Sequence, residues 1–143
     1  MVLLAFLTSL AAETPAMAAD AQKTCINLTK AGAQATVSGV LTVQLFAGPP
    51  NYESIARGDA EERAFIIELP RRLCADDGEF IRPTILFDRV HVSASDEAIL
   101  GVLKSAVGRT VTVRGQAFGA HTGHHHAPLV LMAEQATVAG KVR

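Results

Sequence analysis

The chain predicts a mostly β fold with one helix, an OB-fold-like five-stranded barrel in the order β-β-β-α-β-β, and three observations carry that expectation. Five segments alternate apolar and polar residues with the period of a half-buried strand. A single segment, between the third and fourth of them, repeats its apolar residues at helical spacing instead. Gly39 falls in the inward register of the first strand, where a long strand must bend sharply to close a small barrel. A β-sandwich is the alternative architecture for the same elements.

The first strand is read from Val37, Leu41, Val43 and Leu45 alternating with Thr36, Ser38, Thr42 and Gln44. A loop from Ala47 to about Arg63 follows, too rich in Pro, Gly and charge to be regular. The second strand is Ala64 to Leu69, with Phe65, Ile67 and Leu69 on one face, and Asp76-Asp77-Gly78 supplies a turn. A third strand runs from about Thr84 to Val92. The helix starts at Ser95, whose hydroxyl is placed to cap its first turn, with Asp96 and Glu97 at the positive end of the dipole. Ile99, Val102, Leu103, Ala106 and Val107 make one apolar stripe, and Gly108 ends it. Arg109 to Ala117 alternates again, and Pro128 to Val138 is the fifth strand. No internal repeat and no domain boundary interrupts residues 20–143, which are read as one domain.

Residues 1–19 have the apolar core and small residues of a signal peptide, too short to span a bilayer. The Ala16-x-Ala18 pattern places cleavage after Ala18 or Ala19, so the chain is expected to be periplasmic or secreted, although no Lys or Arg precedes the apolar run. No second long apolar stretch follows, so no membrane span is expected after cleavage. Removing the leader takes out Glu13 and leaves 13 acidic against 13 basic side chains. A neutral chain lacks the footprint of a nucleic-acid or anionic-membrane binder, and its scarce aromatics argue against the ring-lined groove that accompanies nucleic-acid binding on this fold. Two cysteines in an exported chain usually pair, so Cys25 and Cys74 are expected to form a disulfide that ties down the N-terminal segment.

Four of the five histidines, His121, His124, His125 and His126, fall within six residues. Imidazole is the commonest metal ligand and titrates near neutral pH. The cluster therefore admits Zn²⁺ or Cu²⁺, although no Cys, Asp or Glu lies within it to complete a shell and no cofactor is fixed by sequence. In the predicted topology ligands sit on the face of the second and third strands, between the loop joining strands one and two and the loop joining strands four and five. Those are the 47–63 loop and the His-rich 119–128 loop, so Tyr52, Glu53, Arg57, His121 and His124 are the ligand-binding candidates.

The stretches Gly48-Pro-Pro-Asn-Tyr-Glu-Ser-Ile-Ala-Arg-Gly-Asp59, Gly108-x-x-Val-Thr-Val-x-Gly115 and Ala120-His-Thr-Gly-His-His-His-Ala-Pro-Leu-Val-Leu131 resemble a bacterial exported family known as domain of unknown function 4431. The resemblance covers most of the chain after the leader. It implies export and a small β-barrel, and it brings no catalytic residue with it.

Each residue also has a structural reading. His121 or His126 could be hydrogen-bonded across the hairpin, His91 reads as structural at a strand end, and Tyr52 reads equally as a plug of the barrel mouth or a ligand contact. Glu53, Asp59, Glu61 and Glu62 read as a solvated loop in preference to a catalytic pair. No catalytic residue is assigned. The first expectation is a non-enzymatic binding or interaction module for a small ligand, a metal or another envelope protein. A metal-dependent hydrolase, with the histidines as ligands and Glu53 or Asp59 as general base, is the second. A structural accessory domain with an apolar face on strands two and three is the third.

Overall fold

The computed structural model describes residues 24–140. The leader and its cleavage site at Ala18–Ala19 lie outside the described residues. The five long strands are β2 (Gln34–Ala47), β3 (Glu61–Leu73), β5 (Phe87–Ser93), β6 (Thr110–Gly119) and β7 (Leu129–Val138). Each has two neighbours, in the closed order β2-β3-β5-β7-β6, with β5 and β7 parallel and the other pairs antiparallel. The helix α1 (Glu97–Ser105) lies between β5 and β6 and packs against β7. This is the expected OB-like barrel.

β2 is shared by the two halves of the barrel. Residues 34–40 pair with β6 and residues 40–47 pair with β3, so the strand changes partner beside Gly39. A Cβ at Gly39 would collide with the carbonyl oxygen of Glu68 and lie 2.7 Å from Ile67 Cγ2, which is why the bend needs glycine. The inner face runs through Leu41, Ile67, Val90 and Leu129, residues directly opposite one another on successive strands and fully buried. Leu103 and Ala106 of the helical segment join that core.

Several boundaries differ from the sequence expectation, each for a local reason. The second strand extends past Leu69 to Leu73 because a register irregularity between Glu68 and Leu73 lets β3 continue around Pro70. The third begins at Phe87, since Thr84 and Ile85 belong to the preceding turn, closed by Ile85 N–H donating to Arg82 O at 3.0 Å. The helix is capped by Asp96 and not Ser95: the Asp96 carboxylate accepts from Ile99 N–H at 3.0 Å.

Two short strands were not legible in the pattern. β1 (Ile26–Asn27) runs parallel to β4 (Ala75–Asp76), and the Cys25–Cys74 disulfide stands immediately before both. The expected disulfide therefore clasps the start of the described chain to the barrel. Beside it the Asp77 carboxylate accepts from the N–H groups of Glu79, Phe80 and Ile81, and its second oxygen accepts from Gly119 at the end of β6. Burial pushes Asp77 up, but these N–H donors outweigh it and hold the carboxyl below its ordinary value. Among the described residues no helix is long and apolar enough to cross a membrane.

Candidate functional site

The outer face of the barrel is where the two unusual loops meet. Thr42, Ile66, His91, Val130 and Phe118 stand opposite one another on β2, β3, β5, β7 and β6, one register step from the inner row and therefore pointing outward. Outward residues of a small barrel are ordinarily wet, yet Ile66 is 0% exposed and Val130 2%. Something must cover them, and it is the His loop, residues 120–128. Ala127 of that loop joins Ala64, Ile66 and Phe46 in a second small core on the outside of β2 and β3. The expected ligand face is thus apolar, as an accessory domain would require, but the chain's own loop lies over it.

The 48–60 loop is built around Asp59. Its carboxylate accepts from the N–H groups of Asn51, Glu53 and Ser54 and from the Asn51 side chain, at 2.8 to 3.0 Å. These donors, the Ser54 and Glu53 N–H groups foremost, lower Asp59 to about 2. At 6% exposed it is no solvated loop carboxylate, and with its lone pairs committed it is poorly placed to act as a base. The loop turns at Tyr52, which has φ 59°, a left-handed conformation a bulky side chain rarely adopts. Glu53 and Arg57 form an exposed i,i+4 pair at 3.0 Å on the rim.

Tyr52 carries the contact between the loops. Its hydroxyl lies 2.9 Å from His124 Nε2, and the two rings meet edge to face at 5.1 Å. His124 Nδ1 lies 2.8 Å from Glu62 Oε1. Because a carboxylate only accepts, His124 carries its proton on Nδ1, and Tyr52 then donates to Nε2. Tyr52, His124 and Glu62 form a continuous hydrogen-bonded relay across the two loops. Gly123 permits the approach, since a Cβ there would fall 2.8 Å from the Tyr52 ring.

The remaining histidines are spread over the face. His126 stacks flat on Phe46 with centroids 4.1 Å apart; its side chain is 7% exposed and its Nε2 lies 3.4 Å from Glu62 Oε1, within ion-pair range but off-line for a hydrogen bond. His126 N–H donates to His91 Nδ1 at 3.3 Å. His125 Nδ1 accepts from His121 N–H at 3.0 Å, and His121 Nδ1 donates to Gly119 O at 2.9 Å while its ring stacks on Phe80. The four loop histidines do not share a point. Among the described residues no group of three or more His, Cys, Asp or Glu side chains is placed to hold a metal ion.

Glu62 is the residue that sequence reading undervalued. It stands opposite Phe46 at the start of β3, on the outer face with Ala64 and Ile66. The signal was present: both faces of 62–67 carry apolar residues, so its outer face had to be covered. Burial raises Glu62, but the hydrogen bond and charge of His124, then the neighbouring His126, outweigh it and hold the carboxyl below its ordinary value. His91 is pushed down to about 4, first by burial and then by the charges of His126 and His125, against which Glu62 acts. His125 is lowered too, by burial and then by His121, His124 and His126.

Three surface grooves of about 300 to 460 Å³ lie elsewhere, around Leu69 and Pro70 where β3 leaves β2, at the far end of β3 from the loops. Residues 89–137 match the model of a family described as Domain of unknown function (DUF4431), the family that the sequence resembles. The match runs from β5 through α1 and β6 into β7, a span that includes His91 and the whole His loop; the Tyr52 loop precedes it. No curated protein matches the chain.

Proposed function

We propose that this is an exported, non-enzymatic interaction module whose joined loops meet another protein of the cell envelope. One observation carries the reading: loops far apart in sequence are locked together through Tyr52, His124 and Glu62 at the outer surface, with Tyr52 in a strained conformation that packing economy does not require. The arrangement offers a joined outer surface in place of a cleft. Tyr52, His124 and the Glu53–Arg57 pair stand on it with the side chains a polar protein contact uses. A hydrolase would need a free base beside a cavity, whereas Asp59 is saturated by N–H donors and Glu53 is paired with Arg57. Export is supported by the leader and is consistent with the Cys25–Cys74 disulfide.

The test is retention of envelope proteins on the immobilised, tag-free chain after removal of residues 1–19, compared with Tyr52→Ala and His124→Ala. A protein retained by the wild type and lost from both variants, with their melting temperatures within a few degrees of wild type, is the expected result. Equal retention by all three chains would overturn the reading.

A further inference from the structure

Two hydrogen bonds of one unusual kind order the His loop, one tying it to β5 on the outer face and one closing it on itself. His126 N–H donates to His91 Nδ1 at 3.3 Å, and His121 N–H donates to His125 Nδ1 at 3.0 Å. In both, an imidazole nitrogen accepts from the backbone, which requires a neutral ring with its proton on Nε2. A protonated ring carries N–H on both nitrogens. It would then face the backbone donor with another donor, and the bond would become a repulsion.

The contacts to Glu62 respond in the opposite sense. Protonated His124 keeps its Nδ1–H bond to Glu62 and adds charge to it, while the Tyr52 hydroxyl turns from donor to acceptor. His126 Nε2 lies 3.4 Å from Glu62 Oε1 without a hydrogen bond. A proton on His91 therefore breaks one attachment of the loop, and the Glu62 attachment does not depend on a neutral ring.

We propose that residues 120–126 are an acid-released strap: a proton on His91 breaks the bond that ties the loop to β5, a proton on His125 breaks the bond that closes the loop on itself, and the loop lifts from Phe118 and His91 while Glu62 keeps hold of His124.

The groups around the two rings favour this. His91 on β5 faces His125 and His126 from the loop and Glu62 from β3, with apolar Ile66 and Val130 on either side of it in the outer row. His125 faces His121, His124 and His126 in its own loop, His91 from β5 and Phe118 from β6. Apart from Glu62, every charge these rings meet is a histidine's, so each proton that enters makes the closed loop less favourable. With His91 at about 4 in the closed loop and at its ordinary 6.5 when released, lowering the pH to 5 shifts the closing equilibrium about thirty-fold toward open through that ring alone. His125 adds to the shift in the same direction. The device does not depend on whether the loops meet a partner.

The experiment is nuclear magnetic resonance on the tag-free protein between pH 7.5 and 5. Ring-nitrogen shifts read the tautomers of His91 and His125, and amide exchange, normalised for the intrinsic pH dependence, reads the bonds at His121 and His126. Expected are Nε2–H neutral rings at pH 7.5 and a reversible loss of protection at His121 and His126 of about thirty-fold or more by pH 5, with Val113 and Leu129 unchanged. In His91→Asn the side-chain oxygen still accepts from His126 but does not titrate, so the pH dependence at His126 should flatten. Nδ1–H rings at pH 7.5, or wild-type protection unchanged at pH 5, would overturn the proposal. So would a folded His91→Asn chain with the wild-type pH response; if that variant does not fold, the two wild-type measurements decide.

Discussion

The Tyr52 hydroxyl and His124 Nε2 are 2.9 Å apart, and that bond joins residues 72 positions distant in sequence. Its geometry couples three decisions the chain makes separately: the left-handed turn at Tyr52, the missing side chain at Gly123, and the placement of Glu62 behind His124. None of the three has a local rationale. Together they make one joint.

That joint should show as a coupling energy. Tyr52→Phe removes a solvent-exposed hydrogen bond and should cost about 0.5–1 kcal/mol. In a double-mutant cycle with His124→Ala, measured by urea unfolding, the interaction term should be about 1 kcal/mol. Strict additivity would mean that the loops are not joined in solution.

Gly123→Ala places a methyl 2.8 Å from the Tyr52 ring, so one loop must yield, at a cost of about 1–3 kcal/mol. Gly101→Ala is the control, because a Cβ there meets nothing within 4 Å on the exposed side of α1. It should stabilise the chain by up to about 1 kcal/mol. Melting temperatures that move in opposite directions for the two variants verify the contrast.

Acid should unfold the Tyr52 loop later than it releases the strap. Asp59 is held down at about 2 against an ordinary 3.8, so its contribution to stability is complete above about pH 4 and is lost as the pH falls toward 2. The histidines act earlier: with His91 lowered from 6.5 to about 4, the released or unfolded chain binds the extra proton, and stability declines from about pH 6.5 to 4. Two separate acid steps in stability are expected. Asp59→Asn should diminish the lower one, to which Asp77 and Glu62 also contribute, and His91→Asn should diminish the upper.

Opening the Cys25–Cys74 bond should cost about 3–4 kcal/mol, because it closes a long loop in the unfolded chain. Reduction should first free residues 25–28 from β4, visible as exchange at Ile26 and Leu28, whose amides donate to Cys74 O and Asp76 O. Loss of the whole barrel together with this segment would show that the clasp and the core unfold as one unit.

The fold was readable because its inner face follows simple rules. Alternation from Val37 to Leu41, the stripe from Ile99 to Ala106 and the bend at Gly39 each depend on nearby residues alone. The site was readable only in outline. Tyr52 and His124 could be named from their unusual loops, but their contact depends on two loops meeting, and periodicity carries no information about that. Glu62 and Asp59 look like ordinary charged loop residues until the N–H groups and imidazoles around them are placed. Ser95 and Asp96 are both good caps, and the choice between them is made by where the chain leaves β5.

The division of β2 between two partners sets the order in which the molecule can assemble. Its second half meets β3 across the 48–60 loop, but its first half waits for residues 110–116. A chain delivered N-terminus first therefore carries half of its longest strand without a neighbour until most of the sequence has emerged. Closure depends on contacts between distant parts of the sequence, the regime in which small β domains take milliseconds to seconds to fold. During that interval residues 34–39 present an open strand edge to any other chain in reach, so crowded, newly made copies are the state in which this protein is most prone to aggregate.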